Sequence, residues 1–289
     1  MALIGLAIRG GVERAVVLGR EVVAWAGARG HSVVCEAETA RILGGQLTGV
    51  GAAELADRAD PIVILGGDGT LIGVGRYVDK RSPTLIGVNF GTLGFLTEIF
   101  PEELFTTIES VLAGSAAIGT QSMIVAEVWR KGSCIFSSQA VNDAVVQKGA
   151  RARLLDLDIA VNDEEVMRLR CDGLIAATPT GSTAYSLAAG GSIVHPSLAV
   201  MLVTPICAHS LTSRPLILPL ESVLKVSIPA YEGRVFLMID GQDNVELQSN
   251  DTVAITRARN KVKFVKSPRK SYFDILRTKL NWGIRNRPE

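Results

Sequence analysis

The chain has 289 residues, of which 47% are hydrophobic, and its 30 basic and 29 acidic side chains leave a formal net charge of +1. This length allows two domains, and the near-neutral charge offers no polybasic surface to nucleic acid or to an anionic membrane. The start, MALIGLAIRGG, lacks the basic region and cleavage site of a secretory signal, and no apolar run reaches the roughly 18 residues of a membrane span. We therefore expect a cytoplasmic globular protein that binds neither nucleic acid nor membrane.

The first part of the chain alternates short apolar runs with segments of helical periodicity. Strands are predicted at residues 3–8, 62–65 and 85–88, and helices at 15–28 and 101–112. This alternation is typical of strands connected by helices in a mainly parallel sheet. We predict an N-terminal α/β domain of Rossmann-like type that ends at residue 118.

A glycine-rich loop with a single acidic residue follows the strand predicted at 62–65. In GGDGT, residues 66–70, the glycines let the backbone approach a bulky anion, and exposed N–H groups there attract phosphate oxygens. Phosphate would repel Asp68 unless this carboxylate holds a cation or takes a proton, and both roles suit a phosphotransferase. The spacing matches neither Walker A nor G-x-G-x-x-G. The alternative is a glycine-rich turn in which Asp68 only caps a helix.

Strands dominate after residue 118. The segment LLDLDIAV, residues 154–161, places Asp156 and Asp158 on one face and on the other Leu155, Leu157, Ile159 and Val161. This is the pattern of a half-buried antiparallel strand. Further strand patterns follow at short spacing, so we predict an all-β, sandwich-like domain over residues 119–267.

The last segment returns to helical spacing. Residues 271–283 place Phe273, Leu276 and Leu280 on one side of a predicted helix. We expect the tail, residues 268–289, to pack back on the N-terminal domain through this side.

An adjacent pair of polar residues interrupts the apolar run at residues 140–149. Asn142 and Asp143 stand there among valine and alanine, where they either form a turn or project into a site. Near this pair, Lys148 is either a phosphate contact or a solvated lysine at the end of a strand.

A second polar stretch, within residues 171–196, is dense in hydroxyl and glycine residues. A helix is predicted to begin there near Ser182 or Thr183, and helix N-termini offer unpaired N–H groups that hydroxyl side chains cap or supplement. Tyr185, just inside this helix, is placed to hydrogen-bond with or stack on a sugar or a base.

The four cysteines lie far apart in the sequence and form no C-x-x-C pair. Such spacing indicates neither a zinc site nor a disulfide framework. We expect reduced thiols, most of them buried.

Together these motifs resemble those of the NAD kinase family. The order GGDGT, GVNFGTLGFLTE (87–98), the Asn-Asp pair and DGLIAATPTGSTAYSLAAGG (172–191) is the order in that family, and the resemblance covers nearly the entire chain. GGDGT is shared with diacylglycerol and sphingoid lipid kinases, whereas the TPTGSTAYSLAAGG block is specific. The resemblance implies transfer of the γ-phosphoryl group of ATP, or of polyphosphate in some members, to the 2′-hydroxyl of the adenosine ribose of NAD, which gives NADP.

The resemblance also implies roles on the phosphate side of the reaction. Asp68 matches the catalytic aspartate of the family, the proposed general base for the ribose hydroxyl. Gly66, Gly67, Gly69 and Thr70 would supply the phosphate-facing backbone. Mg²⁺ or another divalent cation is expected on the nucleotide phosphates, with few protein ligands.

On the dinucleotide side, the resemblance implies contacts with NAD from ten residues. They are Asp68, Gly69, Phe95, Asn142, Asp143, Arg170, Asp172, Thr183, Ala184 and Tyr185. Phe95 matches a residue beside the adenine, and Asp143 stands where the family has Glu, one methylene longer. Asp172 matches an aspartate that reaches NAD bound mainly by a neighbouring subunit, which implies a homodimer or homotetramer. Arg170 matches a position associated in some relatives with preference for NAD over NADH.

Two alternative functions are open. A lipid kinase of the same superfamily would share Asp68 but should lack the TGSTAY block. A non-catalytic NAD(P) sensor would keep the dinucleotide residues and lose Asp68 or its glycines. Both features are intact in this sequence.

Overall fold

The computed structural model of the chain describes residues 1–45, 47–91, 94–149, 154–229, 231–267 and 270–282. The chain folds as two compact units, the first formed by Met1–Thr120 with Val262–Glu289 and the second by Gln121–Lys261. Within the described ranges, no helix is long and apolar enough to cross a membrane.

The elements change from mixed α/β to nearly all-β along the chain. The first are β1 (Leu3–Ile8), α1 (Glu13–Ala28), β2 (Ser32–Glu36), α2 (Ala37–Leu43), β3 (Gly49–Val50), α3 (Ala52–Arg58), β4 (Ile62–Leu65), α4 (Asp68–Gly75), β5 (Thr84–Val88), a 3₁₀ turn (Pro101–Glu103) and α5 (Leu104–Leu112). There follow β6 (Ile118–Arg130), β7 (Ser133–Ala140), β8 (Asp143–Lys148), β9 (Leu155–Val161), β10 (Glu164–Cys171), β11 (Gly173–Ala177), a 3₁₀ turn (Gly181–Thr183) and α6 (Tyr185–Ala188). The last are β12 (Val200–Ile206), β13 (Leu216–Pro219), β14 (Leu224–Ser227), β15 (Val235–Ile239), β16 (Asp243–Leu247), β17 (Thr252–Val265) and α7 (Tyr272–Leu280).

The first unit is built on a parallel sheet. Its strand order is β5-β4-β1-β2-β3, every neighbouring pair is parallel, and the last residues of β17 add a further parallel partner beside β5. All four residues of β4 are buried, as expected for a parallel strand covered on both faces. This strand ends at Leu65, so the GGDGT loop begins at the carboxyl end of the sheet, where α/β proteins place their ligands.

Helix α1 forms because its apolar residues recur on one face. Ala15, Leu18, Val22 and Ala26 are buried in the core with β1 and β4, at the spacing of an amphipathic helix. A Cβ on Gly19 would lie 2.4 Å from Cδ1 of Ile8, so the glycine lets the Ile8 side chain pack directly against the backbone of α1.

The second unit contains two sheets. One has the order β10-β9-β14-β17, with antiparallel neighbours, and β6 and β7 form an antiparallel pair joined to it through β17. The other is the antiparallel sheet β13-β12-β11-β8-β15-β16. Leu155, Leu157 and Ile159 of the first sheet share one core with Val146 and Leu174 of the second, which is sandwich packing. The predicted fold class is confirmed in both parts.

The terminal helix α7 begins with a capping box. The Ser271 hydroxyl accepts from the Asp274 N–H at 3.2 Å, and the Asp274 carboxylate accepts from the Ser271 N–H at 2.9 Å. Leu276 is buried as predicted, but Phe273 is 57% exposed, because the inward face runs through Ile275 and Leu276. The predicted tail beyond Trp282 lies outside the described residues.

Candidate active site

The GGDGT loop forms the turn between β4 and α4. Gly67 precedes the helix with extended backbone, and Asp68 is the first helical residue. A Cβ on Gly66 would lie 2.6 Å from the Thr70 hydroxyl, so this position has no room for a side chain. At Gly67 and Gly69 a Cβ would meet no atom within 4 Å. These two glycines therefore leave the start of α4 open to a ligand.

The Asp68 carboxylate is held by the segment Phe95–Thr97. Its Oδ2 accepts from the Phe95 N–H at 2.7 Å. Its Oδ1 accepts from the N–H groups of Leu96 at 3.1 Å and Thr97 at 3.0 Å, and from the Thr97 hydroxyl at 2.9 Å. The side chain makes no capping hydrogen bond to α4, so the helix-cap alternative does not describe its contacts. Four donors thus compensate a charge that has no basic neighbour in sequence.

Close approach of the backbone at Gly94 completes this arrangement. A Cβ on Gly94 would lie 2.0 Å from the Asp68 Oδ1 and 2.3 Å from the Thr97 hydroxyl. No side chain fits in that space without moving the carboxylate. Gly94 is therefore required by the position of Asp68 and not by the conformation of its own backbone.

Asp68 lines a cavity of about 440 Å³ in the first unit. The other lining residues are Arg9, Val12, Gly66, Gly67, Asn89, Phe90, Gly91, Gly94, Thr97 and Lys279. This volume is in the range of small-molecule sites. The cavity combines the N-terminal end of α4, one carboxylate and two basic side chains.

The predicted phosphate-facing residues differ in their backbone contacts. The Gly66 N–H donates to the Val88 carbonyl at 3.1 Å, and the Thr70 N–H donates to the Gly67 carbonyl at 3.0 Å. Both N–H groups are thus engaged within the protein. Gly67 and Gly69 differ from Gly66 in having no atom within 4 Å of a Cβ position, so a ligand can approach the backbone most closely at these two glycines.

In the second unit, one carboxylate organises the predicted Asn-Asp pair. Asp240 accepts from the N–H groups of Val141 at 2.8 Å, Asn142 at 2.7 Å and Asp143 at 3.0 Å. Its own N–H donates to the Asp143 carbonyl at 2.9 Å. The pair therefore forms a turn that enters β8. Sequence reasoning missed Asp240, because the segment DGQDN, residues 240–244, has the composition of a turn and gives no sign of this contact.

The Asp143 side chain is only 5% exposed. Burial, and secondarily the charge of Asp240, raise the pKa of Asp143 from 3.8 to about 7. Within the described residues no donor reaches its carboxyl oxygens. The neutral and ionised forms of this group are therefore comparably populated near neutral pH.

The hydroxyl-rich block packs on the same turn. The Thr178 hydroxyl donates to the Val141 carbonyl at 2.6 Å, and a Cβ on Gly181 would lie 2.1 Å from the Asn142 carbonyl oxygen. A helix was predicted to begin near Ser182 or Thr183. The structure has the 3₁₀ turn Gly181–Thr183 there, and α6 begins at Tyr185.

Most hydroxyls of this block bond within the protein. The Ser182 hydroxyl donates to the Pro179 carbonyl at 2.6 Å, and the Thr183 hydroxyl donates to the Thr180 carbonyl at 3.1 Å. Tyr185 is 38% exposed, and its hydroxyl reaches the Gln147 side chain at 3.5 Å. The hydroxyl density therefore serves mainly to hold the backbone of the block, and Tyr185 presents its ring outward.

The remaining predicted residues of the second unit lie near the start of β11. Asp172 pairs with Lys148 at 3.1 Å between Oδ1 and Nζ, so this lysine is neither fully solvated nor unpaired. Arg170 is exposed, and its carbonyl accepts from the His209 N–H at 2.8 Å.

Among the cysteines, Cys35 and Cys171 are buried, and burial raises the pKa of each thiol to about 11. Cys134 and Cys207 are exposed, so the expectation that most thiols are buried is wrong for these two. All four are free thiols, as expected for reduced cysteines.

The predicted site residues thus fall into two groups, each within one unit. Asp68, its glycines and Phe95 lie in the first unit, together with Arg9 and Lys279, which sequence reasoning did not select. Asn142, Asp143, Arg170, Asp172 and the residues Thr183, Ala184 and Tyr185 lie in the second unit.

Comparison with known proteins identifies both units. Residues 4–116 match the family model described as the ATP-NAD kinase N-terminal domain, and residues 141–267 match that of the C-terminal domain. The NAD kinase of Geobacter sulfurreducens is 44% identical over 265 residues, covering 92% of this chain and 93% of the relative. The NAD kinase of Syntrophotalea carbinolica is 41% identical over 285 residues, covering 99% and 100%.

Solved structures agree with these matches. The crystal structure of yeast NADH kinase complexed with NADH has a TM-score of 0.88 at 27% identity, covering 100% of this chain and 90% of the yeast chain. An NAD kinase from Archaeoglobus fulgidus in complex with ATP has a TM-score of 0.74 at 22% identity, covering 96% and 99%, and this likeness concerns the fold alone.

The predicted family and the predicted enzyme class, a phosphotransferase with an alcohol group as acceptor, are confirmed by these relatives. The comparisons give no support to the lipid kinase or sensor alternatives. With both family models matched and relatives more than 40% identical over nearly its whole length, the chain belongs to the NAD kinase family.

Proposed function

We propose that this member of the family transfers the γ-phosphoryl group of ATP to the 2′-hydroxyl of the adenosine ribose of NAD, with Asp68 as the general base. Family membership supports the reaction. The matched family models are those of ATP-NAD kinases, and the yeast relative was solved with NADH, which supports ATP and a dinucleotide as the two substrates.

The observation that carries the role of Asp68 is the distribution of hydrogen bonds on its carboxylate. Each carboxylate oxygen offers about two lone-pair positions. Oδ1 accepts three hydrogen bonds, whereas Oδ2 accepts one, from the Phe95 N–H. The remaining acceptor position is therefore on Oδ2. In the proposal the ribose hydroxyl donates to this oxygen, which takes the proton as the new P–O bond forms.

The rest of the catalysis is positioning and charge compensation, as in other phosphoryl transfers. In the proposal, the side-chain-free positions Gly67 and Gly69, at the N-terminal end of α4, lie against the transferred phosphoryl group. The four donors on Asp68 offset its charge, so a carboxylate can stand beside phosphate. They also fix its orientation, which a base must hold within hydrogen-bond reach of the hydroxyl.

The described residues of this site offer too few ligands to hold a divalent cation by themselves, so a cation fits there only when it is bound to the nucleotide. In the described part of the chain, no group of three His, Cys, Asp or Glu side chains could hold a metal ion. Asp68 has one acceptor position left and would supply at most one ligand. We propose that Mg²⁺ enters on the ATP phosphates, keeps several of its waters, and neutralises phosphate charge there.

We assign NAD binding to Phe95, Asn142, Asp143 and the segment from Thr183 to Tyr185. The fixed turn held by Asp240 supports this role, because hydrogen-bonding groups on a rigid turn lose little entropy on binding. Activity with NAD against NADH, in the wild type and in Arg170→Ala, tests the expected preference for NAD.

We further propose a homodimer or homotetramer in the cytoplasm, in which Asp172 contacts NAD bound by a neighbouring subunit. Light scattering on the purified protein measures the assembly. If the protein is a monomer and remains active, this role of Asp172 is wrong. Fractionation of cells that express the protein tests its location.

The central experiment is Asp68→Asn in an assay with NAD and Mg-ATP, in which NADP is detected by a coupled dehydrogenase. Removal of a general base lowers turnover by roughly 10²- to 10⁴-fold. NAD binding, measured by calorimetry, should change little. Persistent turnover would show that Asp68 is not the base.

Two controls separate chemistry from folding. Asn places an NH₂ group opposite one of the N–H donors from residues 95–97, so a thermal melt of the variant must accompany the assay. The matched variant Asp79→Asn changes an exposed aspartate of the same unit and should keep wild-type turnover.

A further inference from the structure

Two basic side chains meet at the cavity beside Asp68, from elements far apart in the sequence. Arg9 directly follows β1, and its N–H donates to the Leu65 carbonyl at 3.0 Å, which fixes its backbone beside the last residue of β4. Lys279 lies in the last turn of α7. Both line the same cavity as Gly66, Gly67 and Asp68.

Neither cation is paired within the described residues, and both are exposed. By contrast, Arg277 on the same helix pairs with Asp274. The one carboxylate in the cavity lining, Asp68, already accepts four hydrogen bonds and is not an ion-pair partner of Arg9 or Lys279. The cavity therefore carries positive charge that no carboxylate among the described residues pairs with.

This arrangement of positive charge favours a ligand with several negative charges. The N-terminal end of α4 favours an anion, and the two cations add separate positive points along the cavity wall. A guanidinium grips phosphate with two parallel hydrogen bonds, and an ammonium acts as a compact point charge. A ligand with several linked phosphates satisfies all three features at once, whereas a single carboxylate or an apolar molecule does not.

We propose that Arg9 and Lys279 bind the phosphate chain of the phosphoryl donor and position it against the GGDGT loop. The proposal rests on the proposed function, because it places the donor in the cavity that Asp68 lines. It also gives the terminal helix a role in binding beyond its packing in the first unit. Since the contacts are to phosphate, inorganic triphosphate should bind there as well as ATP does.

The test measures binding to the full-length protein by calorimetry, with ATP and with inorganic triphosphate as probes. Arg9→Gln and Lys279→Met each remove one charged contact and should weaken both ligands about tenfold, and the double variant by more. Lys279→Arg should bind both within about threefold of the wild type. The affinity for NAD should not change, and KM for ATP should rise with the Kd.

Matched controls come from neighbouring exposed cations outside the cavity. The two controls are Arg14→Gln, at a position on α1, and Arg277→Gln, at a position on α7. Both should bind ATP and triphosphate as the wild type does. If Lys279→Met lowers the melting temperature, the same ATP and triphosphate affinities are measured on Lys279→Gln and Arg9→Gln, because both positions are exposed and tolerate a polar side chain.

The outcomes separate this inference from the role of Asp68. Wild-type affinity of Arg9→Gln and Lys279→Met for both probes overturns the inference, even when Asp68→Asn has lost turnover. Weakened binding in these variants supports it, even when Asp68→Asn has kept turnover and the assignment of the base has failed. Equal weakening in the Arg14 and Arg277 controls would overturn it too, because the effect would then reflect net charge alone.

Discussion

The buried carboxyl of Asp143 makes the stability of this protein depend on pH in a defined direction. Its pKa is raised from 3.8 to about 7, first by burial and then by the charge of Asp240. Between about pH 4 and pH 7 the folded protein therefore keeps a proton that the unfolded chain has released. The free energy of unfolding falls as the pH rises through this window, by about 1.4 kcal/mol per pH unit from this group, and levels off above about pH 7.

Asp143→Asn removes the ionisation and keeps the shape of the side chain. The difference between a pKa of 3.8 and one of about 7 corresponds to roughly 4 kcal/mol, and local relaxation would reduce this to about 2–4 kcal/mol. The free energy of unfolding of the variant, relative to that of the wild type, should thus rise by about 2–4 kcal/mol between pH 4 and pH 8. Urea unfolding without nucleotide, followed by circular dichroism at several pH values, measures the difference.

The matched control is Asp156→Asn, which changes an exposed aspartate of β9 in the same unit. Its stability difference from the wild type should vary little over the same pH range. If the difference between Asp143→Asn and the wild type is the same at pH 5 and pH 8, the carboxyl does not carry the burial cost assigned to it.

Three further substitutions test the groups that hold the site. A Cβ in Gly94→Ala would lie 2.0 Å from the Asp68 Oδ1, and displacing a reacting group by about 1 Å costs on the order of 100-fold in turnover, whereas Gly27→Ala, with no atom within 4 Å, should keep wild-type kinetics. Thr97→Val removes a buried donor to Asp68 and should lower kcat about tenfold and the free energy of unfolding by about 1–3 kcal/mol, with unchanged NAD affinity; a parallel loss of NAD affinity would contradict a role confined to Asp68. Asp240→Asn replaces an acceptor with a donor opposite the turn at 141–143 and should weaken NAD binding by about 1–3 kcal/mol in calorimetry while leaving ATP binding intact; unchanged NAD binding would show that the turn does not need this carboxylate.

Strands β1, β4 and β5 and the GGDGT loop of the first unit were predictable because their signals are local. The apolar run IVIL followed by GGDGT indicates a buried strand and a ligand-binding turn, and the structure places β4 and the start of α4 there. The segment from β2 to α3 gave no comparable signal. Its strand β3 has two residues, too short for any period to show.

The partners of Asp68 could not be predicted from the sequence. Its donors at residues 95–97 lie 27–29 positions away, and three of the four are backbone N–H groups, which nearly every residue type carries. Phe95 was selected for its side chain, yet its described contact with Asp68 is made by its backbone. Lys279 was overlooked because helical spacing in the tail indicated only packing. Residue types therefore say little about a contact that a distant backbone N–H group makes.

The position of Asp240 has a consequence for synthesis of the protein on the ribosome. The three N–H groups of the turn at 141–143 depend on an acceptor 97–99 positions further along the chain. At an elongation rate of about 5–20 residues per second, that acceptor is translated several seconds after the turn itself. The hydrogen bonds of Asp68 span less than a third of that separation and become available earlier. A nascent chain can therefore form the hydrogen bonds of its GGDGT loop while the turn at 141–143 still lacks its acceptor.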